Sequence, residues 1–273
     1  RVRRMPAACR DTTTQAQRCV ARCSTTPPSG DAVRATSKLP PMCLGAMSAW
    51  TPPSMPLADS QRHGAGCELF LVEGESAAGA VAAVRDAPTQ AVLPLQGKPL
   101  NAWRAGAARV AAYPLYRRLA AALCGADATD GAHLPLASLR FERLMLLFDP
   151  DADGIHIGAL MLLYLKRFAP ALLAQERVWM VRAPMGGVRV VTRETGEVED
   201  VWAYTPEQAR TLRARALAEP QRWQLQRDWA FRGLASLPPE VLRDTCVAPA
   251  SRRAAPVTAA QVEQVVAVFG GAR

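Results

Sequence analysis

Four carboxylates carry the strongest chemical signal in this 273-residue sequence. Glu73 ends the apolar run Cys67-Glu-Leu-Phe-Leu-Val-Glu73, and Asp149, Asp151 and Asp153 follow the run Leu144-Met-Leu-Leu-Phe148. Each run is short, apolar and ends on an acid, as a buried strand entering a turn does. In an open parallel sheet, such strand ends face one crevice. Carboxylates gathered there repel one another and raise their pKa values unless a cation lies between them, so a divalent metal is their natural companion. Hard oxygen ligands favour magnesium over zinc.

Other readings of the same residues are open at this level. Asp149-x-Asp-x-Asp-Gly154 resembles the start of a calcium-binding EF-hand loop, but its twelfth position is Leu160, where a bidentate Glu is required. Gly74-Glu-Ser-Ala-Ala-Gly79 has the glycine spacing of a phosphate-binding P-loop, yet Ala80 and Val81 stand where Lys and Ser/Thr belong. A purely structural role is also open, because Asp is favoured at helix N-caps and an apolar helical pattern follows the aspartates. Cys19 and Cys23 with the distant His63 form an incomplete zinc set.

The elements that must position these acids read as alternating strands and helices. A helix is expected over Ser76 to Arg85, a strand at Ala91-Val-Leu-Pro-Leu95, a loop at Gly97-Lys98 and a helix near Leu115 to Leu123. After the aspartates, Ile157, Leu160, Met161, Tyr164, Leu165, Phe168 and Leu172 recur at helical spacing, and Val178-Trp-Met-Val181 fits a fourth strand. This alternation predicts an α/β layer around a largely parallel sheet over residues 65–184. Beyond Pro184 the chain turns polar and charged. Thr205-Pro-Glu-Gln208 and Thr258-Ala-Ala-Gln261 have capping-box spacing, predicting two more helices in a small, mainly helical C-terminal subdomain over 185–273. Residues 1–64, rich in Pro, Ser, Thr and Arg, read as a flexible, disordered basic arm.

Composition sets the outer limits. Lys+Arg number 33 against 24 Asp+Glu, a net charge of +9, which suits an anionic partner; only Lys38, Lys98 and Lys166 are lysines. A hydrophobic content of 49% excludes a wholly disordered chain. No apolar run approaches the roughly 20 residues of a membrane span. Seven cysteines without a C-x-x-C pair or a preceding signal sequence point to a reducing interior. The chain begins at Arg1, so a piece of a longer protein is expected.

Several blocks together resemble one family. Cys67 to Gly79 is similar to the E-G-D-S-A-G-G segment of the Toprim domain in the B subunit of bacterial type IIA DNA topoisomerases, the family of DNA gyrase and topoisomerase IV. Gln90-Ala-Val-Leu-Pro-Leu-Gln-Gly-Lys-Pro-Leu-Asn101 resembles its Q-A-I-L-P-L-x-G-K-I-L-N segment, and Asp149-Pro-Asp-Ala-Asp-Gly-Ile-His-Ile157 its D-A-D-V-D-G-S-H-I segment. Val178 to Pro184 matches the strand after it, and Phe231-Arg-Gly-Leu234 with Glu240-Val-Leu242 weakly matches Y-K-G-L-G-E-M and a following helix. The blocks keep the family's order, and the resemblance runs from about residue 65 to 271.

The resemblance implies a Toprim, Rossmann-like fold and an ATP-dependent isomerase that changes DNA topology. It implies Mg2+, with Mn2+ or Ca2+ as substitutes, at Glu73, Asp149 and Asp151, with Asp153 as a further metal residue supporting the same loop and His156 packed beside it. It implies a catalytic proton exchange by Glu73 and DNA contacts by Lys98 and Asn101. The expected partners are double-stranded DNA and an A subunit in an A2B2 heterotetramer, in the cytoplasm and nucleoid of a bacterium. ATP would act only through an N-terminal ATPase half that nothing here resembles. The cleaving tyrosine belongs to the A subunit, so Tyr113, Tyr116, Tyr164 and Tyr204 are not candidates; alone, the chain is expected to be inactive. The departures are Glu75 for the aspartate of E-G-D-S, Ala78 for a glycine, Pro150 between two metal ligands, Arg232 for Lys, Ala235-Ser-Leu237 for G-E-M, and Met185-Gly-Gly187 in place of P-L-Y-K. They keep open an alternative: a non-catalytic, divergent Toprim module that binds DNA or an A subunit without supporting cleavage.

Overall fold

The computed structural model of the chain describes residues 57–271. The expected arm up to residue 56 lies outside the described residues, as do Cys19 and Cys23 of the zinc alternative. The arm's last residues are packed rather than free. Ala58 exchanges backbone hydrogen bonds with Val92, at 3.0 and 2.9 Å, and Arg140 pairs with Asp59.

Strand β1 (Gly64–Val72) runs through helix α1 (Glu75–Val84) to β2 (Gln90–Pro94). Helices α2 (Ala107–Ala112) and α3 (Pro114–Cys124) lead to β3 (Phe141–Leu146), then α4 (Ala152–Phe168), α5 (Pro170–Ala174) and β4 (Val178–Val181). Leu69, Phe70, Leu71 and Val72 are all fully buried, because helices cover both faces of the strand; this is why the run is continuously apolar instead of alternating. Leu69 and Leu71 face a core shared with Leu119, Tyr116 and Tyr164, while Phe70 and Val72 face one shared with Val81, Met145 and Leu147.

Past Pro184 the structure corrects the expectation of a mainly helical subdomain. Strands β5 (Gly186–Thr192), β6 (Val198–Ala203) and β7 (Trp223–Ala230) form an antiparallel sheet ordered β6-β5-β7, with α6 (Pro206–Ala218) packed on a small core of Val188, Val190 and Ala216. Both expected caps form: Thr205 accepts from the Gln208 amide, and Thr258 caps α8 (Ala259–Val265). Between them, α7 (Pro239–Leu242) and β8 (Ala254–Pro256) return to the first sheet.

That sheet is ordered β2-β1-β3-β4-β8, parallel except for β8, which pairs antiparallel with β4. From β1 the chain steps outward to β2 and then crosses back to β3 on the other side. The order therefore reverses between β1 and β3, and the crevice at their carboxyl ends is where doubly wound sheets bind ligands. Glu73 follows β1 directly, and Asp149 lies just beyond β3.

Candidate metal centre

Each acid is placed by an element end. Glu73 stands between the last residue of β1 and Gly74, the extended N-cap of α1. It is partly buried, and its Oε2 is buried without a hydrogen-bond partner. Burial first, then the charges of Asp149, Asp151 and Asp153, push the Glu73 carboxyl above its ordinary value, with Lys98 pulling the other way. That pattern requires all four acids and the lysine to share one electrostatic neighbourhood.

Asp149 is held from a distant part of the chain. Its Oδ1 accepts the Leu234 amide at 2.8 Å, across 85 positions of sequence. Asp151 is the N-cap of α4 and accepts the Gly154 amide at 2.8 Å, so the capping role and the acidic cluster coexist in one residue. Gly154 is needed at that turn because a Cβ there would lie 2.0 Å from the Asp149 carbonyl oxygen. Asp153 points to Lys98, at 2.6 Å; both side chains are largely exposed, and each favours the other's charged form.

Asn101, by contrast, is occupied structurally. Its Oδ1 accepts the amides of Trp103 and Arg104 at 3.1 and 3.2 Å, and its Nδ2 donates to the Phe269 carbonyl at 3.1 Å. His156 stacks on Phe269 with ring centroids 5.6 Å apart. Tyr116 and Tyr164 stack on each other, bury their hydroxyls against the Leu100 and Gly131 carbonyls, and have pKa values raised by burial, which suits packing.

Glu73 and Asp149 face a cavity of about 430 Å³ whose other walls are the first turn of α1, from Gly74 to Ala77, and the loop from Arg232 to Ser236. In the sequence that loop reads as an eroded block. Phe231-Arg-Gly-Leu234 is a visible signal there, but nothing in it tells that the backbone reaches Asp149.

The donor set is all oxygen, with one buried Glu73 oxygen unpartnered and the charges of Asp149, Asp151 and Asp153 acting on that carboxyl, so the residues fit a hard divalent cation. Among the described residues, no three His, Cys, Asp or Glu side chains converge into a closed metal cage. Mg2+ does not require one, since it keeps several waters and binds through one or two carboxylates plus a substrate phosphate.

Comparison with known proteins agrees with this geometry. Residues 68–183 match the Toprim domain family. The chain is 33% identical over 186 residues to the B subunit of DNA gyrase from Thermus thermophilus, covering 68% of this chain and 28% of that protein. It is 37% identical over 140 residues to the B subunit of the type 2 topoisomerase from Aquifex aeolicus, covering 50% and 17%. It is 33% identical over 193 residues to the B subunit of DNA topoisomerase 4 from Pseudomonas aeruginosa, covering 70% and 29%. The chain thus spans less than a third of the length of these relatives. With a Toprim fold, acids at its switch point and these similarities along its ordered length, the chain belongs to the Toprim-containing B-subunit family of DNA gyrase and topoisomerase 4.

Proposed function

We propose that this chain is the magnesium- and DNA-binding part of a type IIA topoisomerase B subunit, supporting double-strand cleavage and religation by a tyrosine of a partner A subunit. The observation that carries the reading is the meeting of Glu73 and Asp149 at the carboxyl ends of adjacent parallel strands, with a buried Glu73 oxygen left unpaired.

Glu73 and Asp149 would hold Mg2+, with Asp151 beside them. When bound, the ion supplies charge stabilisation for a phosphate and for a departing 3′ oxygen. The protein's own part is positional. Strands β1 and β3 fix the two acids, the Leu234 amide orients Asp149, and Asp151 anchors the start of α4. Glu73, with its affinity for a proton raised by burial and by neighbouring acids, is suited to exchange a proton with the 3′ oxygen. Lys98, on the loop after β2, pairs with Asp153, and a phosphate would compete with that acid for its ammonium. The family implies an A2B2 assembly, an ATPase half and a bacterial cytoplasmic setting; among the described residues, no helix is long and apolar enough to cross a membrane.

The test is reconstitution with a type IIA A subunit and an ATPase half. Mg2+-dependent cleavage of duplex DNA is expected, with Asp149→Asn lowering it by at least 100-fold, since removing one group that stabilises transition-state charge costs about 10²–10³. Cleavage indifferent to that change would remove the metal assignment.

A second reading, a non-catalytic module that binds DNA or an A subunit, draws on the engagement of three acids: Asp151 in its cap, Asp153 with Lys98, and Asp149 with Leu234. It expects stable DNA or A-subunit binding with no cleavage at any Mg2+ concentration.

A further inference from the structure

The loop Arg232–Ser236 meets the acidic crevice with its backbone. Leu234 donates its amide to Asp149 Oδ1 at 2.8 Å. Gly233 passes so close that a Cβ there would lie 2.6 Å from Asp149 Oδ2 and 3.1 Å from its Cγ. The carboxylate is therefore gripped at one oxygen and confined beside the other.

The grip has its own supports. Ser236 donates its hydroxyl to the Gly233 carbonyl at 2.6 Å and accepts the Arg232 and Gly233 amides at 3.0 and 3.3 Å, closing the loop on itself. Leu234 is fully buried in the core formed by Phe70, Val72, Val81 and Leu147, so its amide cannot drift from the sheet. An oxygen that already accepts an amide offers less to a cation, so the pairing fixes how Asp149 presents its carboxylate to the cavity that it lines together with Glu73 and Gly233.

The geometry points to Gly233 and Leu234 as positioning residues for the metal acid: the loop after β7 fixes the orientation of Asp149, so that divalent-ion affinity is set from outside the Toprim segment. This rests on the metal reading of Glu73 and Asp149. It also gives a physical role to two positions that survive in an otherwise altered block, with Ser236 closing the loop that carries them.

The experiment titrates Mn2+ into the full chain and reads free ion by electron paramagnetic resonance, for the unaltered protein, Gly233→Ala, Ser236→Ala, Asp149→Asn and the double variants Gly233→Ala/Asp149→Asn and Ser236→Ala/Asp149→Asn. Gly233→Ala is expected to weaken binding about 10–100-fold, the usual effect of disturbing a group that orients a ligand. Ser236→Ala, which keeps the Leu234 amide, is expected to weaken it less. In the Asp149→Asn background, Gly233→Ala should add nothing, because its effect passes through that carboxylate. Equal weakening in both backgrounds, or none in the unaltered protein, overturns the positioning role while leaving the metal reading intact. Mn2+ binding indifferent to Asp149→Asn itself overturns both. If Gly233→Ala does not fold, as judged by its metal-free melt, Ser236→Ala decides alone: unchanged affinity overturns the inference, and weakening that disappears in the Asp149→Asn background supports it.

Discussion

Glu73 concentrates the chemistry of the crevice in one side chain, and its protonation should be visible without DNA. Burial and three neighbouring acids raise its pKa in the folded chain above the unfolded value. A carboxyl of that kind imposes no cost while protonated in both states, and costs stability as pH rises through the interval between the two values. Glu73→Gln should therefore raise the melting temperature of the metal-free chain at pH 8, by roughly 2–4 °C for each kcal/mol of repulsion relieved. The difference should vanish near pH 4, below the ordinary carboxylate value. With saturating Mg2+ the order should invert, because the ion stabilises only the chain that binds it. A melt of the two proteins across pH, with and without Mg2+, checks this; equal melting at pH 8 would remove the electrostatic strain assigned to Glu73. The placement of Glu73 and Asp149 at strand ends was legible from sequence because each follows a continuous apolar run of strand length. The Leu234 amide was not legible, since a backbone donor 85 positions away leaves no mark in side-chain type.

At the scale of elements, α4 shows how one residue serves fold and site together. Its 17 residues are mostly buried, and its first turn is closed by Asp151. Replacing an N-cap Asp with Ala typically costs ~1 kcal/mol, whereas Ser caps about as well. Asp151→Ala should thus melt a few degrees lower than the unaltered chain, and Asp151→Ser should melt with it, while both lose whatever the carboxylate gives to divalent-ion binding. Thermal melts paired with Mn2+ titrations separate the two roles; if Asp151→Ser binds Mn2+ unchanged, Asp151 is a cap alone. Elements with strong periodicity, such as α4 and β1, could be read directly. The antiparallel sheet could not: β5 opens on Gly186-Gly187, β6 carries Glu199 and Asp200, and the core under them has only Val188, Val190 and Ala216 buried, so the polar composition masked the alternation of Trp223 and Leu225 in β7.

For the whole described chain, the decisive feature is how its last third is tied to the sheet that carries the acids. Glu68 of β1 is buried, and Arg252, just before β8, reaches it with two nitrogens at 2.5 and 2.6 Å; both side chains are about one-twentieth exposed. Gln90 of β2 donates to the same carboxylate at 2.9 Å and to the Val247 carbonyl at 3.1 Å, so β1, β2 and the returning segment share one polar junction inside apolar surroundings. A bidentate pair at that depth contributes little relative to an apolar replacement, but breaking it leaves the buried Glu68 only the Gln90 amide and a distant cation, Arg143 at 3.9 Å, a loss of up to about 3–5 kcal/mol. Arg252→Ala should therefore lower the melting temperature by roughly 10 °C, given about 2–4 °C per kcal/mol for a domain of this size. Arg252→Met combined with Glu68→Leu should recover most of that loss, because no buried charge is then left unpaired and the exposed Arg143 keeps Glu142 at 3.7 Å. A single variant that melts within 1–2 °C of the unaltered protein would mean that β8 and the loop gripping Asp149 are held without this junction. A double variant no better than the single would place the cost in packing instead of charge.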